Sequence, residues 1–264
     1  MKLRVGIFDS GIGGFTVLNS LLKARKDAEV LYLADTKRIP YGNKTFNEIR
    51  EIAKEICEWF YDKNLNALLV ACNTTNACAL DIIENNLGIP CFDLINSVSD
   101  IVDKEIIGVI ATTTTVKSSY YKKVISQKKE NIKIFQQECP GFVPEIERSK
   151  LNREKLNHLS ELYLRPLIKE NIQELILGCS HYPLIYNVIR ENLDPNIKII
   201  DPSEALIKQL NECFSIPEID CDESIPFENV NFFVTSKNNE FYEKVKYWLE
   251  INKEISLVNL RSNV

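Results

Sequence analysis

Two cysteines stand where a chain can do chemistry. Leu68-Leu69-Val70-Ala71-Cys72-Asn73-Thr74-Thr75 and Leu175-Ile176-Leu177-Gly178-Cys179-Ser180-His181-Tyr182-Pro183 both run from a short apolar stretch into a thiol and then into small or polar residues. A continuous apolar run of that length reads as a strand covered on both faces. Beyond the first thiol Ala77, Leu80 and Ile83 lie on one side of a helix, and beyond the second Pro183 opens another. Each thiol therefore sits at a strand's carboxyl end, the edge where open parallel sheets gather ligands. It also faces the N–H groups and positive dipole end of a helix start, which favour thiolate. A third strand, Leu3 to Phe8, delivers a carboxylate, Asp9, to the same kind of position ahead of Ser10-Gly11-Ile12-Gly13-Gly14, and His181 adds an imidazole next to the second thiol.

Two thiols on opposite sides of one carbon suit the inversion of a stereocentre. One takes a proton from one face, the other returns a proton to the opposite face, and the roles exchange in the reverse direction. Metal binding competes with this reading, but Cys72-x5-Cys78 and Cys179-x-His181 lack the short ligand pairs of structural zinc sites, so no metal is expected. A redox dithiol would want Cys-x-x-Cys, which is absent. Gly11 and Gly13, with Asp35 as a ribose-binding acid, imitate a dinucleotide fingerprint. The third glycine position is Thr16, however, and Asp9 would repel a pyrophosphate. The plainer alternatives are that Asp9 caps its turn, that His181 is a structural residue at a helix start, and that the cysteines are core. Cys57, Cys78, Cys91 and Cys213 read as core.

The elements that position these groups alternate strand and helix. Val30 to Ala34 ends in a loop fixed by Pro40-Tyr41-Gly42. A helix over 45–64 buries Ile49, Ile52, Ala53, Ile56, Trp59 and Phe60. After Ile89-Pro90-Cys91-Phe92-Asp93-Leu94 the order begins again. Glu105 to Ala111 is a strand ending in four threonines, and a helix follows through Tyr120 and Val124. A strand at 132–136, a loop at 139–144 and a helix at 153–171 with Leu156, Leu159, Leu162, Tyr163 and Leu167 inward lead to the Cys179 strand. The repeated order implies two copies of one α/β unit, facing each other with Cys72 and Cys179 on opposite walls of a cleft. The expected domains are 1–92 plus 208–264 and 93–207. A strand at 197–200 and a helix at 204–214 precede the C-terminal strand at 231–235, helix at 239–249 and strand at Leu257. These last three advertise no chemistry and are expected to complete the first domain.

A chain of 264 residues, 45% hydrophobic, has enough material for two cores. A net charge of −5 with no basic run argues against nucleic acid and against an anionic membrane surface, leaving a small soluble substrate. No apolar run is long enough to span a bilayer, and Asp9 arrives too early for a signal-peptide core. The expected location is cytoplasmic, with the eight cysteines as free thiols.

Asp9-Ser10-Gly11-Ile12-Gly13-Gly14, Pro40-Tyr41-Gly42, Ala71-Cys72-Asn73-Thr74 and Gly178-Cys179-Ser180-His181-Tyr182-Pro183-Leu184, in this order and at these intervals, resemble the glutamate-converting members of the cofactor-independent aspartate/glutamate racemase family. The resemblance runs from about residue 3 to about residue 207. It implies two parallel-sheet α/β domains related by pseudo-twofold symmetry, no cofactor, no metal, and interconversion of L- and D-glutamate for peptidoglycan precursors in a bacterium. It also implies a homodimer. By the same resemblance Cys72 takes the α-proton of D-glutamate and Cys179 that of L-glutamate. Asp9 and His181 tune or reprotonate their thiols, and Glu147 is a further carboxylate of the site. Substrate contacts fall to Asp9, Ser10, Tyr41, Gly42, Asn73, Thr74, Ser180 and His181, with a hydroxyl from the threonine run at 112–115. Ser180 stands in place of the family's usual threonine, keeping the hydroxyl and dropping a methyl. Aspartate racemisation, one methylene away, and a non-catalytic binding homologue are the alternatives.

Overall fold

The computed structural model describes residues 3–148, 150–215, 225–236 and 239–260. In chain order the first half runs β1 (Arg4–Asp9), α1 (Phe15–Ala24), β2 (Glu29–Ala34), a 3-10 turn (Tyr41–Asn43), α2 (Phe46–Tyr61), β3 (Ala67–Val70), α3 (Asn73–Leu87) and β4 (Cys91–Asp93). Next come α4 (Leu94–Ile101), β5 (Ile106–Ala111), α5 (Thr113–Ser118), α6 (Tyr120–Lys128), β6 (Lys133–Glu138), α7 (Phe142–Ile146), α8 (Arg153–Lys169) and β7 (Glu174–Gly178). A 3-10 turn (Tyr182–Ile185), α9 (Tyr186–Glu191), β8 (Lys198–Ile200), α10 (Pro202–Cys213), β9 (Val230–Val234), α11 (Asn239–Leu249) and β10 (Ile255–Leu257) complete the described chain.

The strands form two sheets, ordered β10-β9-β2-β1-β3-β4 and β6-β5-β7-β8, and every pairing is parallel. This is the expected α/β class with parallel sheets in two sets. The order β2-β1-β3-β4 recurs as β6-β5-β7-β8, so β3 and β7, the strands that lead into the two thiols, hold equivalent slots. The C-terminal strands extend the first sheet beyond β2. Sheet faces follow the pleat. In β1, Val5 and Ile7 pack into one apolar layer and Phe8 into the other, and in β3 Leu69 divides from Leu68 and Val70 in the same way. Apolar side chains on both faces are what helices on both sides of a parallel sheet require. At α2, Thr45 Oγ1 accepts from the Glu48 N–H at 3.2 Å while the Glu48 carboxylate accepts from the Thr45 N–H at 2.8 Å, a capping box that fixes the helix start.

Several local expectations are corrected. The helix after the threonine run is two helices, broken at Ser119, whose φ of 56° cannot continue a right-handed helix. The 139–144 stretch is not all loop. It closes into α7, with Pro144 in the first turn, where a missing N–H leaves no helical hydrogen bond unmade. In α8 the inward residues are Leu156, Ser160, Leu164 and Leu167, while Leu162 is 55% exposed, half a turn away from Ser160 and Leu164. Trp59, Leu159 and Tyr163 are only partly buried. Among the other cysteines Cys57 and Cys78 are core, Cys91 is half-buried, and Cys213, the last residue of α10, is exposed. Cutting Leu164 back to alanine should cost about 2 to 5 kcal/mol in urea denaturation. The same change at Leu162 should stay within about 0.5 kcal/mol.

Candidate active site

Asp9 ends β1 fully buried. Its Oδ2 accepts from the Gly11 N–H of its own turn and its Oδ1 accepts from the Ser180 hydroxyl, each at 2.8 Å. The second bond ties the end of the first sheet to the residue after Cys179. The turn needs glycine because the walls are in contact. A Cβ on Gly13 would lie 2.3 Å from Ser180 Oγ and 2.5 Å from His181 Nδ1, and one on Gly11 would lie 2.4 Å from Glu147 Oε1. The turn is packed against these side chains, so its glycines serve close approach of the two walls rather than a dinucleotide fingerprint. Asp9 is also more than a turn cap, since it bonds across the cleft.

Cys72 precedes α3 and is 4% exposed. Burial pushes its thiol up to about 12. The Asp9 carboxylate adds to the shift, the Thr75 hydroxyl and N–H oppose it, and Cys179 adds again. The expectation that the helix start would hold this residue as thiolate is therefore corrected, because removal from water outweighs the helix donors.

Cys179 follows β7, and its Sγ is 3.9 Å from His181 Nδ1. His181 Nε2 is 2.7 Å from Glu147 Oε1, which also accepts from the Ile12 N–H at 3.3 Å, and Lys244 Nζ donates to Glu147 Oε2 at 2.6 Å. Burial opposes charging His181, but its bonds to Cys179 and Glu147 prevail and hold it well above the usual imidazole value. It is an imidazolium, a donor at both nitrogens. Burial likewise opposes ionising Glu147, yet His181 and then Lys244 bring its carboxyl down to about 2. Asp9 moves the other way. Burial raises it, and His181, Gly11 and Ser180 only partly compensate.

The remaining predicted residues fall around these groups. Thr74 Oγ1 meets Thr112 Oγ1 at 3.0 Å, and Thr115 Oγ1 donates to Thr74 at 3.3 Å, so the threonine run reaches across from the second sheet. Asn73 Oδ1 accepts from the Tyr121 hydroxyl at 2.6 Å, whereas its buried Nδ2 has no acceptor. Ser10 is buried in the Asp9 turn. Gly42 packs on Thr112, and its carbonyl accepts from Thr114 Oγ1 at 2.9 Å. The Tyr41 hydroxyl is committed to Asp35, which leaves its backbone as the part available to a ligand. His158 is exposed on α8. Lys244 was missed by sequence reasoning. Its only signal is a lysine next to Val245 and three residues past Phe241 on the buried side of α11. Among the described residues no group of three or more His, Cys, Asp or Glu is arranged to hold a metal, and no helix is long and apolar enough to cross a membrane.

The family model for Asp/Glu/Hydantoin racemase matches residues 11–210. The chain belongs to that family. A glutamate racemase of Prochlorococcus marinus (strain NATL1A) is 45% identical over 259 residues, covering 98% of each chain. The crystal structure of glutamate racemase from Francisella tularensis subsp. tularensis SCHU S4 in complex with D-glutamate superposes with a TM-score of 0.88 at 33% identity, over 98% of both chains. One from Bacillus anthracis gives a TM-score of 0.89 at 28% identity, over 98% of this chain and 99% of that one.

In this racemase the paired Glu147 makes a stability contribution with a definite sign. Its carboxyl is depressed in the folded state, so the contribution is present above the ordinary value of 4.5 and is lost as pH falls toward about 2. The difference in unfolding free energy between wild type and Glu147→Gln should shrink as pH falls from about 4.5 toward about 2 in denaturant titrations at stepped pH.

Proposed function

We propose that this racemase interconverts L- and D-glutamate by a two-base mechanism without a cofactor, with Cys72 and Cys179 as the bases. The observation that carries the reading is the placement of two buried thiols after β3 and β7, equivalent strands of the two sheets, around the Asp9 to Ser180 hydrogen bond. With L-glutamate, the Cys179 thiolate takes the α-proton and becomes thiol, and the Cys72 thiol gives its proton to the opposite face of the carbanion and becomes thiolate. D-glutamate reverses both transfers. The cationic His181 beside Cys179 offsets negative charge on that sulfur, and Asp9, with its raised proton affinity, is the acid/base beside Cys72.

The α-proton is weakly acidic, so the carbanion needs fixed donors in a dry site. Ser10, Asn73 with its free Nδ2, Thr74 and the backbone of Tyr41 and Gly42 are the donors for the two substrate carboxylates, while the Ser180 hydroxyl holds Asp9 beside them. Both thiols are 5% exposed or less, so loading requires the halves 1–92 plus 208–264 and 93–207 to part and close again. The D-glutamate bound by the Francisella tularensis relative supports this substrate over aspartate. The role follows as supply of D-glutamate for peptidoglycan in the bacterial cytoplasm, by an enzyme acting as a homodimer.

Circular dichroism of L-glutamate and L-aspartate solutions with the protein should show loss of signal with glutamate first, and in deuterated water the label should appear at Cα. Cys72→Ala and Cys179→Ala should each lower kcat at least about a hundredfold. Full racemisation by either variant would remove the two-base assignment, and faster conversion of aspartate would overturn the substrate.

A further inference from the structure

We propose that Lys244 is a positioning residue for the reaction, reaching from α11 to hold the Glu147 carboxylate in the orientation that presents one oxygen to His181. This rests on the reading of His181 and Glu147 as parts of the site. The carboxylate divides its two oxygens. Oε1 meets His181 Nε2 at 2.7 Å and the Ile12 N–H at 3.3 Å, and Oε2 receives Lys244 Nζ at 2.6 Å. Glu147 closes α7, a helix of 5 residues, and that short element gives its side chain little support. The other cations nearby are committed elsewhere. Lys155 and Arg148 both pair with Glu145, at 2.6 and 3.3 Å. Charge on Glu147 is influenced most by His181 and Lys244, and Glu147 in turn acts on Asp9 and Tyr32.

Lys244 is itself well placed to fix a geometry. Its side chain is 10% exposed, and it stands between Phe241 and Val245, which are buried in the core. Phe241 packs edge-on against Phe15, ring centroids 5.7 Å apart, and Phe15 begins the helix that follows the Asp9 turn. The helix that carries Lys244 is thus seated on the same core as the turn that carries Asp9. A carboxylate this little exposed, held by two cations at fixed positions, has one low-energy orientation. With one cation removed it is free to rotate away or take up a proton, and His181 then loses its acceptor.

The test is a double-mutant cycle on racemisation of L-glutamate, with melting curves to establish folding. Lys244→Met should lower kcat about tenfold or more with KM little changed. Lys244→Arg, which keeps a cation, should recover most of the loss. In a Glu147→Gln background Lys244→Met should change kcat less than about twofold, since the interaction is already gone. The acid limb of the kcat profile should also move to higher pH in Lys244→Met, because Glu147 has lost one of the two cations that keep it ionised. Equal losses in both backgrounds, or an arginine variant as impaired as methionine, would overturn the proposal alone. If Glu147→Gln kept wild-type kcat, the placement of Glu147 in the site would fall as well. Should Lys244→Met not fold, Lys244→Gln enters the same cycle.

Discussion

The structure is organised by the need to partner two carboxylates, one fully buried and one largely so. Asp9 and Glu147 lie within reach of one imidazolium, and neither has enough donors on its own element. Asp9 takes one donor from its turn and one from Ser180. Glu147 takes His181 from after β7, Lys244 from α11 and the Ile12 N–H from the Asp9 turn. An unpaired buried charge costs several kcal/mol, so these partners must arrive together. That requirement docks the two sheets and the C-terminal helix in one arrangement, and it explains why residues 11 and 13 are glycine, since any Cβ there would hold the walls apart.

The same docking makes the resting site electrostatically uneven. On one wall burial leaves Cys72 a thiol and raises Asp9. On the other, the bonds to Cys179 and Glu147 keep His181 charged. The two thiols hold equivalent positions in duplicated topology but rest in different surroundings. A two-base transfer of the kind proposed needs unlike proton affinities on its two walls, and this asymmetry is in keeping with it.

The duplication itself is incomplete. Four strands of each sheet match in order, while β9 and β10 extend only the first, and the helix between them carries Lys244. The added elements bring a cation to the opposite half's carboxylate from 97 residues away in sequence. Symmetry places the thiols, and the departure from symmetry supplies a partner for Glu147.

Strand-end thiols, the alternation of strand and helix, and the repeat of that order were legible in the sequence, because parallel strands buried on both faces are written as short apolar runs and their ends as sudden polarity. The threonine run, Ser180 and His181 were visible for the same reason. Helix faces were less so. In α8 a leucine count picked out Leu162, but the packing against β6 and α9 chose Ser160 and Leu164 instead. Glu147 entered by resemblance alone, since a glutamate after a proline-containing loop has no distinguishing local pattern. What only the tertiary structure decided is the protonation of the site and the identity of its distant partners. Whether Cys72 rests as thiol depends on how much water is removed and which charges face it, and Lys244 looks like any lysine on an amphipathic helix until α11 is laid against α7's end. Local sequence fixes where a side chain leaves the backbone, but the energy of its charge is set by neighbours the chain brings from elsewhere.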